Sequence, residues 1–379
     1  MTLNIRPFTI DIPQTALDDL AVRLDLVRWP EKETVDGWEQ GVPLAEARRV
    51  VEHWRTAYDW RRCETLLNAR DNFLVEIDGL DIHFMHIRSP HENALPMIMT
   101  HGWPGSIIEF LDVIDPLTNP TAHGGSADQA FHLVIPSLPG YGFSGKPTAT
   151  GWSVDHIAQA WDTLMRGLGY DRYVAQGGDW GSAVTSAMAL QNPEGLAAIH
   201  LNMLVAIPTP EQLENMTPAE HAVLDKAKDW SRYERGYSEE QSTKPQTLGY
   251  SLVDSPVGQA MWIYEKFHGW TDHGGSPADS FALDRILDNI MVYWLTGTGA
   301  SSARLYWESL NKWPRGKTTV PLAYSNFPKE IMRGIRSWAE NTYASIIHWG
   351  ELDKGGHFAA FEQPDLFVSE LRAAFTSLR

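Results

Sequence analysis

Residues 177–181 read Gly-Gly-Asp-Trp-Gly and stand between an apolar run, Tyr173-Val174-Ala175, and a run rich in small residues from Ser182 to Leu190. The apolar run predicts a buried strand, the glycines a sharp turn, and the small-residue run a helix that leaves the turn at once. Strand, tight turn and helix in immediate succession belong to a layered α/β sheet. They hold the central side chain, Asp179, out at the carboxyl end of its strand.

The rest of the chain supplies such a sheet. Residues 73–77 and 80–87 alternate about Asp78-Gly79, a two-residue hairpin signal. Short strands follow at 96–99, 131–135, 173–175 and 196–201. Helices are predicted over 106–114 and, with Ser153 as its cap, over a segment whose apolar face is Ile157, Trp161, Leu164, Met165 and Leu168. Alternating strands and helices predict a mostly parallel sheet flanked by helices, with the reactive loops at the strands' carboxyl ends. Residues 1–70 instead predict a helical N-terminal extension, with helices at 14–26 and 45–60. Between 204 and 315 the alternation stops. Helical patterns at 218–233, 258–267, 281–295 and 301–310 there predict an inserted cap. Strand patterns return at 319–325 and 344–349, and a last helix covers 364–377, so the core comprises 71–203 and 316–379.

With 31 Lys and Arg against 48 Asp and Glu, the net charge of −17 argues against a nucleic-acid or anionic-membrane partner. The first twelve residues carry Arg6 and Asp11, and no apolar run reaches about 18 residues, so no signal peptide or membrane anchor is expected. Cys63, the one cysteine, can form no intramolecular disulfide and has no cysteine partner at a metal site. A cytoplasmic protein is the matching expectation.

Aspartate at the turn decides the chemistry. The nucleophile elbow of the α/β-hydrolase fold is G-x-S-x-G, and this chain has none: Phe143-Ser144-Gly145-Lys146 lacks the closing glycine. A serine suits acyl transfer and needs a base to activate it. A carboxylate, anionic at neutral pH, displaces a strained or good leaving group from saturated carbon and leaves an alkyl ester. The electrophile is then an epoxide or a carbon–halogen bond.

Hydrolysing that ester requires a base, a group that orients it, and oxyanion donors. His357, in Gly355-Gly356-His357-Phe358 past the last strand, stands where the order nucleophile, acid, histidine places the base. Glu330, after the 319–325 strand, is the favoured acid, ahead of Asp353 on the histidine's own loop. The expected oxyanion donors are the N–H groups of Trp180, after the nucleophile, and Trp103, in His101-Gly102-Trp103-Pro104-Gly105. A cis Trp103-Pro104 bond would be one way to turn the Trp103 N–H inward. Taken singly, one of fourteen histidines or a surface carboxylate is more often structural; the shared chain order is what selects these.

Together the residues resemble the epoxide hydrolases of the microsomal type, over nearly the whole chain. The resemblance rests on the leader, His101-Gly102-Trp103-Pro104-Gly105-Ser106, Pro139-Gly140-Tyr141-Gly142-Phe143-Ser144, the elbow, and Gly355-Gly356-His357-Phe358-Ala359-Ala360-Phe361-Glu362. In the cap it includes Ser242-Thr243-Lys244-Pro245, Asp254-Ser255-Pro256-Val257-Gly258 and Tyr293-Trp294-Leu295-Thr296-Gly297-Thr298. It implies an α/β-hydrolase fold with a helical cap, and conversion of an epoxide and water to a vicinal diol with neither metal nor organic cofactor.

It further implies that Tyr237 and Tyr306 hold and protonate the epoxide oxygen and that Glu330 is the acid. Without the family, each of twelve tyrosines reads as a packing residue. A phenol, with an ordinary pKa of about 10, stays protonated at neutral pH and can donate to an alkoxide. Eukaryotic members carry a membrane anchor where this chain begins with its leader, so the resemblance implies a soluble, bacterial enzyme. Two rivals stand: a haloalkane dehalogenase, whose halide needs only weak donors, and a non-catalytic hydrolase-fold binding protein. Trp230, Trp262, Trp270 and Trp294 are expected to shape the substrate pocket. Substrate size, stereochemistry and a homodimer stay open.

Overall fold

The computed structural model describes residues 3–379. Among the described residues nine strands form one sheet: β1 (Ile5–Phe8), β2 (Asn72–Ile77), β3 (Leu80–Ile87), β4 (Leu95–Thr100), β5 (Phe131–Pro136), β6 (Tyr173–Gly177), β7 (Leu196–Leu201), β8 (Leu322–Asn326) and β9 (Ile346–Glu351), in the order β1-β2-β3-β5-β4-β6-β7-β8-β9. Pairing is antiparallel from β1 to β5 and parallel from β5 to β9. Buried on both faces, β6 shows no in-out alternation, as a central parallel strand should. The β2–β3 turn has φ of 50° at Asp78 and 80° at Gly79, both positive as its two-residue loop demands.

The leader contributes α1 (Gln14–Asp25), α2 (Leu44–Thr56) and α3 (Trp60–Asn68), and the core α4 (Leu111–Thr118), α5 (Val154–Gly167) and α6 (Trp180–Gln191). The cap is α7 (Pro210–Glu214), α8 (Pro218–Tyr233), α9 (Gly236–Thr243), α10 (Pro245–Asp254), α11 (Pro256–Trp270), α12 (Leu283–Thr296) and α13 (Gly299–Ser309). Three helices close the chain: α14 (Arg336–Ala339), α15 (Ala359–Glu362) and α16 (Pro364–Ala374). Among the described residues no helix is long and apolar enough to cross a membrane.

The leader departs from the expectation of a helical extension. It opens with β1, which pairs Ile5 with Val75, and four residues are too few to display a period. The single helix expected at 45–60 is two, because Asp59 accepts from the Arg61 N–H and starts α3 afresh. Ser153 precedes α5 without a side-chain capping bond. Residues 107–110 form a 3₁₀ turn before α4 begins.

The cap is fixed to the loop after β4. In α12, Asn289 Nδ2 donates to Pro104 O at 2.7 Å and Tyr293 Oη to Gly105 O at 2.7 Å, while Ser106 Oγ donates to Asn289 Oδ1 at 2.7 Å. The leader grips the other side of α12: the fully buried Asp288 accepts from Tyr58 Oη at 2.9 Å and from Arg62 Nη2 at 2.5 Å. The loop that faces Asp179 is thus held in place from above.

Candidate active site

Asp179 sits between β6 and α6 with φ 50° and ψ −126°, a conformation that costs a residue with a Cβ about 1–3 kcal/mol. The turn closes only because its glycines lack side chains. A Cβ on Gly177 would lie 2.1 Å from Gly181 O, one on Gly181 1.9 Å from Thr100 O, and one on Gly102 2.2 Å from Asp179 Oδ1. The strand, its neighbour β4 and the loop after β4 therefore converge on one carboxylate.

His357 Nε2 lies 3.4 Å from Asp179 Oδ2, and its Nδ1 lies 2.8 Å from Glu330 Oε1. That oxygen also accepts the N–H of Ile331 at 2.7 Å and of Met332 at 3.3 Å, so the acid is fixed by its own loop. With the Nδ1 proton assigned to Glu330, Nε2 is the nitrogen that faces the nucleophile. Burial alone would lower the His357 pKa; the Glu330 and Asp179 carboxylates outweigh it and raise the imidazole well above 6.5. Asp353, the other acid considered, is exposed on the loop after β9. The Trp103-Pro104 bond is cis, and the Trp103 N–H donates to Asp179 Oδ1 at 2.8 Å. The Trp180 N–H is the first of α6, in the turn where a helix leaves its amides without intrahelical acceptors.

Over the carboxylate stands an aromatic box. Tyr237 in α9 and Tyr306 in α13 meet edge to face, with centroids 5.8 Å apart. The Trp103 ring stacks on Tyr237 at 5.0 Å and meets Tyr306 edge-on at 5.9 Å, and Trp180 meets Tyr306 edge-on at 4.8 Å. Trp270 closes the box against Tyr237 at 5.2 Å and His357 at 5.0 Å. Burial holds both phenols well above the ordinary 10; the Asp179 charge adds to this for both. They are therefore protonated donors at neutral pH.

Comparison with known proteins decides what this constellation belongs to. A model of the epoxide hydrolase N terminus matches residues 5–110, and one of the alpha/beta hydrolase fold matches residues 96–253. A Stigmatella aurantiaca protein provisionally named an epoxide hydrolase is 55% identical over 377 residues, 99% of this chain and 86% of that protein. The chain belongs to the epoxide hydrolase family. Epoxide hydrolase 1 of Sus scrofa is 34% identical over 97% of this hydrolase and 88% of its own length. The crystal structure of juvenile hormone epoxide hydrolase from the silkworm Bombyx mori matches with a TM-score of 0.89 at 30% identity, covering 100% of this chain and 95% of that one. The Aspergillus niger epoxide hydrolase matches with a TM-score of 0.89 at 31% identity, covering 100% and 97%.

In this epoxide hydrolase the four cap tryptophans divide. Trp270 belongs to the box, and Trp230 reaches Tyr237 at 6.4 Å. Trp262 and Trp294 do not come to it. The Trp262 indole donates to Gln241 Oε1 at 3.1 Å, and its ring lines a cavity of about 960 Å³ between the leader and α11, which none of the expected catalytic residues lines. Trp294 lies under the Arg23 guanidinium of the leader at 5.8 Å. Helical spacing marks a side chain as inward-facing without saying which neighbour it meets, and the leader is the neighbour that the sequence concealed.

Several residues with no sequence-derived role also stand at the hydrolase's site. Glu362 accepts the N–H groups of Gly356 at 3.0 Å, Phe358 at 2.9 Å and Asp272 at 2.8 Å, which braces the loop on both sides of His357 and ties it to the end of α11. Glu109, Gln176 and Asn202 line a small cavity with Asp179 and His357. The available signal was weak: Glu362 and Glu109 are lone acids in otherwise apolar runs.

Proposed function

We propose that this epoxide hydrolase works through a covalent ester on Asp179. Oδ1, already bonded to the Trp103 N–H, becomes the ester carbonyl, and Oδ2 attacks an oxirane carbon. Tyr237 and Tyr306 hydrogen-bond the ring oxygen as the carbon–oxygen bond breaks, and the proton they give is replaced by the one His357 carries. The site thus passes from carboxylate and imidazolium to hydroxyalkyl ester and neutral imidazole. His357 becomes a base when one of the two charges that raise its pKa has been consumed.

In the second half, His357 takes a proton from water while the hydroxide adds to Asp179 Cγ. The Trp103 and Trp180 N–H groups hold the oxyanion, and collapse releases a vicinal diol as the carboxylate re-forms. On this reading the leader (1–70) and cap (204–315) enclose a reaction that the core (71–203 and 316–379) carries out. Trp103, Trp180 and Trp270 favour an apolar epoxide; relatives of similar length include enzymes named for juvenile hormone. Cys63, buried and unpaired, suits a cytoplasmic enzyme.

The observation that carries the proposal is the line Asp179–His357–Glu330 beneath two protonated tyrosines. A halide leaving group would not need such acids. Mixing His357→Gln with an aryl epoxide should leave a protein heavier by the mass of the epoxide, with the addition on the peptide containing Asp179. An adduct on a peptide without Asp179 would rule the ester out, and so would the absence of any adduct both in His357→Gln and in wild-type enzyme quenched during turnover.

A further inference from the structure

A cavity of about 20 Å³ lies directly beside the nucleophile, lined by Glu109, Gln176, Asp179, Asn202 and His357 among others. A single water needs about 10–15 Å³ and two to four polar partners, so this space fits one water and no substrate. Its walls carry an unused acceptor: Gln176 donates through Nε2 to Asn202 Oδ1 at 2.9 Å, while its buried Oε1 has no partner. The Glu109 carboxyl folds back over the loop after β4, so that a Cβ on Gly105 would lie 1.3 Å from Glu109 Oε1. Glycine at 105 is what admits the carboxyl there.

We infer that this cavity seats the hydrolytic water and that Glu109 is a further catalytic residue, accepting one O–H of that water while His357 Nε2 accepts the other. The inference rests on the ester mechanism above. Two acceptors fix the two hydrogens and leave an oxygen lone pair for Asp179 Cγ. His357 takes one proton as the water oxygen bonds to Cγ; the bond from Cγ to the alkyl oxygen then breaks, and the diol leaves with the remaining hydroxyl proton.

The charges around Glu109 suit this role. Burial pushes its carboxyl up to about 8, the positive side of His357 opposes that, and the Asp179 carboxylate pushes it further up. Beside the resting carboxylate, Glu109 is therefore neutral and does not compete as an anion with the nucleophile. Ester formation removes the Asp179 charge and, with the proton passed on, the His357 charge as well, so Glu109 stays neutral and offers the water its carbonyl oxygen.

Single-turnover kinetics on the full-length enzyme with an aryl epoxide, separating ester formation from ester hydrolysis by rapid quench, test the assignment. Glu109→Leu should form the ester within about 3-fold of the wild-type rate and hydrolyse it about 100-fold more slowly, the size expected for the loss of one preorganised hydrogen-bond partner. Glu109→Gln keeps a carbonyl acceptor but sets an NH2 group, with one donor more than the carboxyl O–H, against the same water, and should slow hydrolysis about 10-fold with ester formation unchanged. If Glu109→Leu does not fold, the Gln variant decides alone. Wild-type hydrolysis rates in Glu109→Gln, or formation and hydrolysis falling in step, would overturn the role of Glu109 while leaving the ester mechanism standing. A wild-type enzyme that forms no ester at all would overturn both.

Discussion

Asp179 occupies a backbone shape that costs about 1–3 kcal/mol, and what it gains is a carboxylate facing His357 on one oxygen and the Trp103 N–H on the other. The same placement sets the protonation of His357, because Asp179 and Glu330 are the two charges that overcome burial. A mutation at Glu330 therefore has a signed consequence. In Glu330→Gln the imidazole loses its larger source of stabilisation as a cation, its pKa falls, and neutral base persists to lower pH. The acid limb of the hydrolysis step should move to lower pH, even as the plateau rate drops about 100-fold from loss of orientation. Hydrolysis rates of the trapped ester across pH 5 to 9 would show this, and a limb that stays in place would mean that Glu330 does not control the base.

At the scale of elements, the elbow depends on how closely β4, β6 and α6 approach one another. Gly181→Ala would drive a methyl group against Thr100 O, whose backbone in a central strand cannot yield, and should destabilise the protein by about 1–3 kcal/mol in urea unfolding. Wild-type stability in that variant would mean the elbow is looser than described. This part of the fold was readable beforehand, since glycines, apolar runs and the Asp78-Gly79 turn act over a few residues, where composition dictates geometry. Strand β1 was not, because Ile5–Phe8 becomes a strand only by pairing with β2, nearly seventy residues on. The site divides the same way. Asp179, His357 and Glu330 follow from chain order and Tyr237 and Tyr306 from the family resemblance, whereas Glu109 and Glu362 act through contacts that spacing does not encode. Trp262 and Trp294 face the leader and not the aromatic box, because the leader competes with the core for the outward side of the cap.

Across the whole molecule, the leader works as a clasp on the cap, and the buried Asp288 is its fastening. Burial pushes the Asp288 carboxyl up, and Arg62 is the largest influence holding it down. Arg62→Met takes the ion-pair partner from a buried carboxylate that keeps Tyr58 as a donor and the weaker influence of Arg285, and should cost about 2–3 kcal/mol at pH 7. The deficit should shrink toward pH 4, where Asp288 takes up a proton in the folded state and no longer carries an unpaired charge. Thermal unfolding at the two pH values would reveal the difference, and an equal deficit at both would place the loss in packing instead. With leader and α12 fixed to the loop that bears Trp103, the enclosed chemistry reduces to one question: whether water oxygen enters the product directly or by way of Asp179. A single turnover in heavy-oxygen water, with enzyme in excess over epoxide, answers it. The mechanism predicts one labelled oxygen in the Asp179 carboxylate and an unlabelled diol; a labelled diol from that first turnover, with Asp179 unlabelled, would contradict it.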